Sequence, residues 1–448
     1  MKDLKNIQNF YFIGIGGIGM SALARYFHAE GKAVFGYDRT PSDITKELQN
    51  SGISIIYEDD YSFIKNNFQT ENTLVVYTPA IPKDSSIFKG FINKNFTLVK
   101  RSELLGWITK DTKCLAVAGT HGKTTTSAIL AHLLAYNNQS VTAFLGGIAE
   151  NYNSNFIQKG NEITVVEADE FDRSFLQLSP YIAGITSMDA DHLDIYENAQ
   201  NIEEAFTDFA NLVSDKNHLL HKKGLPLNGK TVAIEEPADF VAQNVRIING
   251  NYVFDLKTPD NIISDLVLKL PGHHNLFNAT LALGMAITLG SPTMSLPKAL
   301  FDFNGVKRRF SYKIKTKDFA LIDDYAHHPT EINAVFQAVK EMYPDKKNMV
   351  IFQPHLFSRT KDFAEGFSES LALFDQVLLL DIYPAREKPI ENITSSWLLN
   401  KINNSKKELI TKTQITPKIK SGNASVVIMM GAGDIGEEVE RVTKELTL

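Results

Sequence analysis

The sequence predicts an α/β protein with several parallel, doubly wound sheets. Short apolar runs rich in Val, Ile and Phe alternate with helical patterns along the whole chain, as parallel sheets with crossover helices require. The polar and glycine-bearing segments stand directly after those runs, where open α/β sheets bind ligands. The length of 448 residues, at about 150 per domain, corresponds to roughly three domains. With 43% hydrophobic and 22% charged residues, the chain can bury more than one core and does not resemble a disordered or fibrous protein.

In chain order, strands are expected at residues 10–14, 33–37 and 74–77, then at 115–118, 163–166 and 182–186. The last third repeats the pattern with strands at 319–322, 349–352, 377–380 and 426–430 and helices such as 331–341. Two lysines precede an apolar stretch at residues 10–24, a superficial likeness to a signal peptide. That stretch holds Gly14, Gly16, Gly17 and Gly19 and stops at Arg25, so it reads as strand, turn and helix and is too short to span a bilayer. Cys114 is the only cysteine, which excludes an intrachain disulfide and a Cys-based zinc site and fits a reducing, cytoplasmic setting. The formal net charge of −6 offers no global attraction to nucleic acid or to an anionic membrane, so neither is expected as a partner.

The strongest motif is Gly119-Thr120-His121-Gly122-Lys123-Thr124-Thr125-Thr126, between an expected strand and a helix running to about residue 135. Glycines let backbone N–H groups approach phosphate, the helix N-terminus favours negative charge, Lys123 reaches the β/γ-phosphates and a threonine hydroxyl can hold magnesium. Val117 stands where the strict phosphate-loop pattern has glycine, making this a shorter variant. Near the start, Gly14, Gly16 and Gly19 form GxGxxG, with Asp38 ending the next strand. That spacing places a pyrophosphate on the helix N-terminus and a ribose hydroxyl on Asp38 without specifying which nucleotide; a tight turn alone also uses such glycines.

Glu167, Asp169, Glu170 and Asp172 follow a buried run, a natural position for a magnesium ligand. One or two of these, Glu167 first, are expected to carry chemistry while the others face water. Asp189, Asp191, His192 and Asp194 form a second acidic group, in which magnesium's preference for oxygen leaves His192 a supporting group as readily as a ligand. Asn275 and Asn278 lie three residues apart at the start of an apolar helix and read as caps. Arg308-Arg309 reads as a surface basic pair or as an arginine reaching a phosphate. In Asp323-Asp324-Tyr325-Ala326-His327-His328-Pro329-Thr330-Glu331, Pro329 is expected near the first helical position and Glu331 in the first turn. The adjacent histidines lack a third zinc ligand at helical spacing.

Taken in order, these motifs resemble the Mur ligase family across nearly the whole chain. The match runs through Gly14-Ile15-Gly16-Gly17-Ile18-Gly19-Met20-Ser21, residues 118–126, 167–170, Asp191-His192, His274-Asn275 with Asn278, Arg308-Arg309-Phe310, and residues 324–331, 352–360 and 383–389. The resemblance implies three domains: an N-terminal Rossmann-like domain binding a UDP substrate (1–107), a central P-loop ATPase-like α/β domain (108–310) and a C-terminal Rossmann-like domain bringing in an amino acid (311–448). It implies an ATP-dependent ligase with Mg2+, joining L-alanine to the lactyl carboxylate of UDP-N-acetylmuramate through an acyl phosphate. A monomer or homodimer is expected, without membrane insertion.

By family role, Lys123, Glu167, His192, Arg309 and Asp324 are the catalytic set. ATP falls to Gly119, Thr120, His121, Gly122, Lys123, Thr124, Thr125, Asn275, Asn278, Arg309 and Asp324. Metal falls to Thr124, Thr125, Glu167 and His192. The UDP substrate falls to Gly14, Gly16, Gly17, Ile18, Gly19, Met20, Asp38, Thr78 and Ala80, and the amino acid to Tyr325, His327, Arg359 and Arg386. The chain departs from the common pattern at Ala326 (glycine in many members), Leu356 (basic), Ser187 (asparagine) and Thr78-Pro79 (a serine pair); Leu356 shifts the amino-acid carboxylate onto Arg359. A dehydrogenase would explain GxGxxG but leave the ATP loop idle, and a nucleotide-sensing switch would use both loops without ligation. Within the family, a recycling ligase that attaches a whole peptide is the nearest rival.

Overall fold

A computed structural model describes residues 4–64, 68–189, 196, 199–385 and 387–447. Its strands form three sheets. The first contains β1 (Asn9–Ile13), β2 (Ala33–Tyr37), β3 (Ser54–Ile56), β4 (Thr73–Tyr77) and β5 (Thr97–Lys100), in the order β3-β2-β1-β4-β5. Every pairing in it is parallel. The order reverses beside β1, so Gly14 and the helix Ile18–Ala29 leave the sheet at its switch point.

The second sheet comprises β6 (Lys113–Ala118), β7 (Val141–Ala149), β8 (Ser154–Gln158), β9 (Ile163–Glu167), β10 (Pro180–Ile185), β11 (Leu219–Lys222), β12 (Lys230–Ile234), β13 (Phe240–Ile248), β14 (Asn251–Lys257) and β15 (Ile262–Leu268). Its order is β15-β14-β13-β12-β11-β10-β6-β9-β7-β8. The third comprises β16 (Ser311–Lys315), β17 (Ala320–Asp324), β18 (Asn348–Phe352), β19 (Gln376–Leu379), β20 (Lys407–Leu409) and β21 (Val426–Met430), ordered β16-β17-β21-β18-β19-β20.

The expectation of parallel sheets needs one correction. β7 with β8 and β16 with β17 are antiparallel, each pair joined by a connection of only four residues, which suits an antiparallel hairpin.

By compactness the chain divides into two units. The first holds residues 1–244, 254–266 and 278–303, and the second residues 245–253, 267–277 and 304–448. Within the first unit one apolar core runs from Ile7 to Leu219 through both sheets. The helix Ile18–Ala29 contributes to it, with Tyr26 edge-on to Phe144 and Phe156. Asn155 Nδ2 donates to Ile18 O at 2.6 Å and to Ser21 Oγ at 2.9 Å. In the second unit the six-stranded sheet is covered on both faces by separate apolar clusters, and β17, β18 and β21 are buried at every position. Such continuous burial is what lets those runs be read from sequence.

Candidate active site

In the first unit β6 ends at Ala118 and the helix Lys123–Tyr136 begins five residues later. Gly119 has φ +127°, and a Cβ there would overlap Thr186 Oγ1, so only glycine fits. Gly122 has φ +83°, with the Asn278 amide packed where its Cβ would be. The loop is held by the segment after β10: His121 N–H donates to Ser187 Oγ (3.1 Å), Thr120 N–H to Ser187 O (3.3 Å) and Thr120 Oγ1 to Asp189 O (2.9 Å). Ser187, standing where relatives of the motif carry asparagine, therefore supplies an acceptor to the loop backbone.

Lys123 Nζ donates to Gly119 O at 2.7 Å and Thr120 O at 3.3 Å and lies 2.8 to 2.9 Å from both Glu170 carboxylate oxygens. Burial alone would push this ammonium down, but Glu170, Glu167 and Asp169 together hold it above its ordinary value. Here the sequence reading needs a second correction: Glu170, expected among the solvated carboxylates, is buried, because it turns inward to neutralise Lys123.

Glu167 at the end of β9 accepts from Thr124 Oγ1 (2.9 and 3.1 Å) and from Gly146 N–H (3.0 Å). A Cβ on Gly146 would overlap its carboxylate. A threonine hydroxyl against a carboxylate is an all-oxygen donor set, which suits Mg2+. No group of three or more His, Cys, Asp and Glu residues forms a metal cluster among the described residues. A site that takes few ligands from protein and the rest from phosphate and water matches that ion's habit. Thr125 is buried beside Thr124. His192 lies outside the described residues.

At the first glycine loop, Gly14 adopts φ +86° with Ile81 and Thr78 against it. Gly16 N–H donates to Asp38 Oδ2 at 2.7 Å and Thr40 N–H to Asp38 Oδ1 at 3.3 Å, so the acid expected at a ribose hydroxyl braces the loop backbone. Gly17 is the N-cap of the helix Ile18–Ala29, with no side-chain cap. Met20 is buried in the core, and Ala80 N–H reaches Thr78 Oγ1 at 3.5 Å. Arg101 lies over Gly19 and pairs with Asp169 at 3.5 Å.

The second unit separates the two adjacent arginines. Arg308 donates to the Gly431 carbonyl, pairs with Asp323 at 3.4 Å and leaves no room for a side chain at Gly436, which makes it a structural clamp. The Arg309 guanidinium stands 5.0 Å from the centre of the Tyr325 ring. Asp324 ends β17, its two oxygens accepting from Phe310 N–H and Ala326 N–H, both at 2.7 Å. Burial pushes its carboxyl up to about 6, against the opposing pull of Arg309 and the two amides.

Burial also lowers His274 to about 4 and takes His327 below the usual histidine range. His327 Nδ1 lies 2.9 Å from Tyr325 O; a carbonyl only accepts, so Nδ1 carries the hydrogen and Nε2 keeps its lone pair. His328, by contrast, caps the helix Pro329–Met342 through Thr330 N–H. Asn275 is the third residue of the helix His273–Leu289 and its side-chain amide donates to Pro271 O at 2.7 Å; an N-cap accepts from helix N–H groups, so this bond is not the cap its position suggested.

Arg359 Nη1 is 3.4 Å from His355 Nδ1, and the His355 ring stacks on Tyr383 and meets His327 edge-on. Leu356, directly after His355, has φ +70°, a strained conformation for a branched residue. Arg386 lies outside the described residues; its neighbour Glu387 accepts from Ser358 N–H at 3.0 Å and Ser358 Oγ at 2.5 Å. Gly146 and Arg101 were not singled out from sequence, while Glu170 was one of four carboxylates after a buried run and His355 stood in the matched segment 352–360 without a role of its own. Glu170 and His355 stand just beyond strand ends, where polar residues signal a site, whereas Gly146 lies within β7 and carries no such signal.

Two nucleotide-type loops, a lysine and carboxylates beside one of them, and an arginine-histidine cluster in a separate unit define an α/β ligase architecture. The family comparison names it: this chain belongs to the Mur ligase family, an ATP-dependent ligase family. It matches the models "Mur ligase family, catalytic domain" over residues 9–113, "Mur ligase middle domain" over 117–286 and "Mur ligase, glutamate ligase domain" over 308–435.

Within the family it is similar to UDP-N-acetylmuramate–L-alanine ligases. The chain is 60% identical to that of Christiangramia forsetii over 448 residues, covering 100% of this chain and 99% of the relative. It is 59% identical to that of Flavobacterium psychrophilum over 444 residues, 99% of each. The crystal structure of the Thermotoga maritima UDP-N-acetylmuramate-alanine ligase superposes with a TM-score of 0.83 at 27% identity, covering 98% of this chain and 99% of that one.

Proposed function

We propose that this chain ligates L-alanine to the lactyl carboxylate of UDP-N-acetylmuramate at the expense of ATP, forming ADP and phosphate in peptidoglycan precursor synthesis. The carrying observation is the full-length likeness to ligases of that name, together with a phosphate loop whose lysine and threonine meet two carboxylates. A carboxylate and an amine do not condense unaided in water. The substrate carboxylate therefore takes the γ-phosphoryl group, and the neutral amine of alanine attacks the acyl carbon, expelling phosphate as the amide C–N bond forms.

Phosphoryl transfer asks the protein mainly to position groups and neutralise charge. In our reading Gly119, Thr120, His121, Gly122 and Asn278 cradle the nucleotide, Lys123 meets its phosphates, and Thr124 and Glu167, with Thr125 beside them, hold Mg2+. Bound there, the ion would neutralise phosphate charge. Arg309 and Asp324 serve the phosphoryl transfer and Asn275 the nucleotide. Tyr325, His327 and Arg359 receive the amino acid: the guanidinium takes its carboxylate, and His327, with Nε2 unprotonated, adds no positive charge against its amine. Gly14, Gly16, Gly17, Ile18, Gly19, Met20, Thr78 and Ala80, with Asp38 behind them, form the UDP-substrate side.

In chain organisation we keep three domains, 1–107, 108–310 and 311–448, working in the cytoplasm as a monomer or homodimer. No described helix is long and apolar enough to cross a membrane. The test is phosphate release from ATP and Mg2+ with UDP-N-acetylmuramate, comparing L-alanine, other amino acids, a murein tripeptide and no acceptor. Release that requires both substrates and prefers L-alanine is expected. Preference for the tripeptide moves the assignment to a recycling ligase, and no release with any acceptor removes the ligase reading.

A further inference from the structure

Three carboxylates of one short segment are each committed to different partners. Glu167 is committed to Thr124 Oγ1 and Gly146 N–H. Asp169 accepts from Phe171 N–H and pairs with Arg101. Glu170 alone among them turns to Lys123, and both side chains are largely out of water, at 5% and 13% exposure. An ammonium has three protons, and Gly119 O, Thr120 O and the Glu170 carboxylate account for all of them. The backbone of Glu170 is itself pinned, its carbonyl accepting from the Tyr196 hydroxyl at 2.5 Å and from Arg173 N–H at 2.9 Å.

We infer that Glu170 is a positioning residue for Lys123, which keeps the ammonium folded onto the phosphate loop and competes with the nucleotide phosphates for it. The inference rests on the reading of residues 119–125 as an ATP loop. For Lys123 to meet a phosphate, the carboxylate must surrender it, and an ion pair removed from water is costly to break from one side. Nucleotide binding therefore works against a partner already in place. Glu170 lowers the affinity the loop would otherwise show, while keeping the lysine charged and in register between turnovers.

The experiment is titration of the full chain with MgADP in a calorimeter, for the unsubstituted protein, Glu170→Gln, Lys123→Ala and the double variant, with steady-state kinetics on the first two. Glu170→Gln is expected to bind MgADP about three- to tenfold tighter and to lower KM for ATP by a similar factor, with kcat changed less than threefold. In the Lys123→Ala background the same substitution is expected to change affinity less than twofold, since the competition acts through the lysine. Glu170→Asp keeps the charge but shortens the reach, and about twofold tightening is expected; it carries the test if the glutamine variant folds poorly. Weaker or unchanged binding in both variants, or equal tightening with and without Lys123, overturns the inference. If the unsubstituted chain binds no nucleotide, it is the ATP reading that fails.

Discussion

The phosphate loop of the first unit and the Asp324 turn of the second both bury a carboxylate, by opposite means. Around the loop, Glu170 is matched by the Lys123 ammonium and Glu167 by a hydroxyl and an amide, so charge is compensated locally. Asp324 has two backbone amides and no side-chain partner at hydrogen-bond distance among the described contacts, and its carboxyl is pushed up to about 6. A buried carboxylate whose desolvation outweighs the pull of two amides and a nearby guanidinium responds to pH. Buried charge is thus paired within the first unit and exposed to pH in the second.

The largest break in that comparison is Lys123→Ala. It removes the ammonium paired with Glu170 and a charge-stabilising donor whose loss typically raises a barrier by about 2.7–4 kcal/mol. Ligation is expected to fall roughly a hundredfold to thousandfold, with circular dichroism unchanged. A rate near that of the unsubstituted chain would remove Lys123 from the mechanism.

Next comes Gly146→Ala, which leaves every charge in place and moves one. Its new Cβ would occupy the space of the Glu167 carboxylate, pushing that group from Thr124. A drop of about tenfold to a hundredfold in kcat, on the order of 1.4–2.7 kcal/mol, is expected, with a higher Mg2+ requirement. An unchanged Mg2+ dependence would mean that Glu167 is not where the metal sits.

The second unit is tested by pH. Because the folded-state pKa of Asp324 is raised from 3.8 to about 6, the native state holds that proton more tightly than the unfolded chain. Its contribution to stability is therefore present below about pH 4 and lost as the pH rises through about 6. Activity that needs the carboxylate ionised runs the other way, falling toward tenfold per unit below about pH 6. Thermal unfolding and kcat/KM measured on one pH series should show the opposite slopes, and Asp324→Asn should abolish the acidic limb. A limb that persists in that variant assigns it to another group.

Much of this was legible in the sequence because the strands that carry the site are buried on both faces. Residues 33–37 and 426–430 are read to the residue, and 163–166 and 349–352 to within one. The motif at residues 119–126 also announces a glycine loop, since few other structures use that spacing between a strand and a helix. Partner choice was not legible. Nothing local distinguishes Glu170 from Asp172, yet one is buried against Lys123 and the other is half exposed beside Lys100. Likewise Arg308 and Arg309 are adjacent and chemically identical, and only the packing of Gly431 and Gly436 shows which of them is spent on the fold. Such assignments depend on residues 47 positions away for Glu170, 72 for Asp172 and 123 for Arg308, which no short motif encodes.

The smallest effect is expected at Asp38, where the GxGxxG spacing and the structure give the same acid different duties. As a brace, it needs only an oxygen for Gly16 N–H. Asparagine keeps that acceptor, so Asp38→Asn should leave KM for UDP-N-acetylmuramate within about twofold, whereas Asp38→Ala, which orphans the amide, should raise it up to about tenfold, in line with roughly 0.5–1.5 kcal/mol for a hydrogen bond. A ribose hydroxyl donating to the carboxylate would make both substitutions costly, because a charged acceptor is worth about 1.5–3 kcal/mol. Equal losses in the two variants would therefore return Asp38 to the ribose. Loss in alanine alone would make this first loop a structure that spends a carboxylate on holding its own backbone, where the phosphate loop spends one on a lysine side chain.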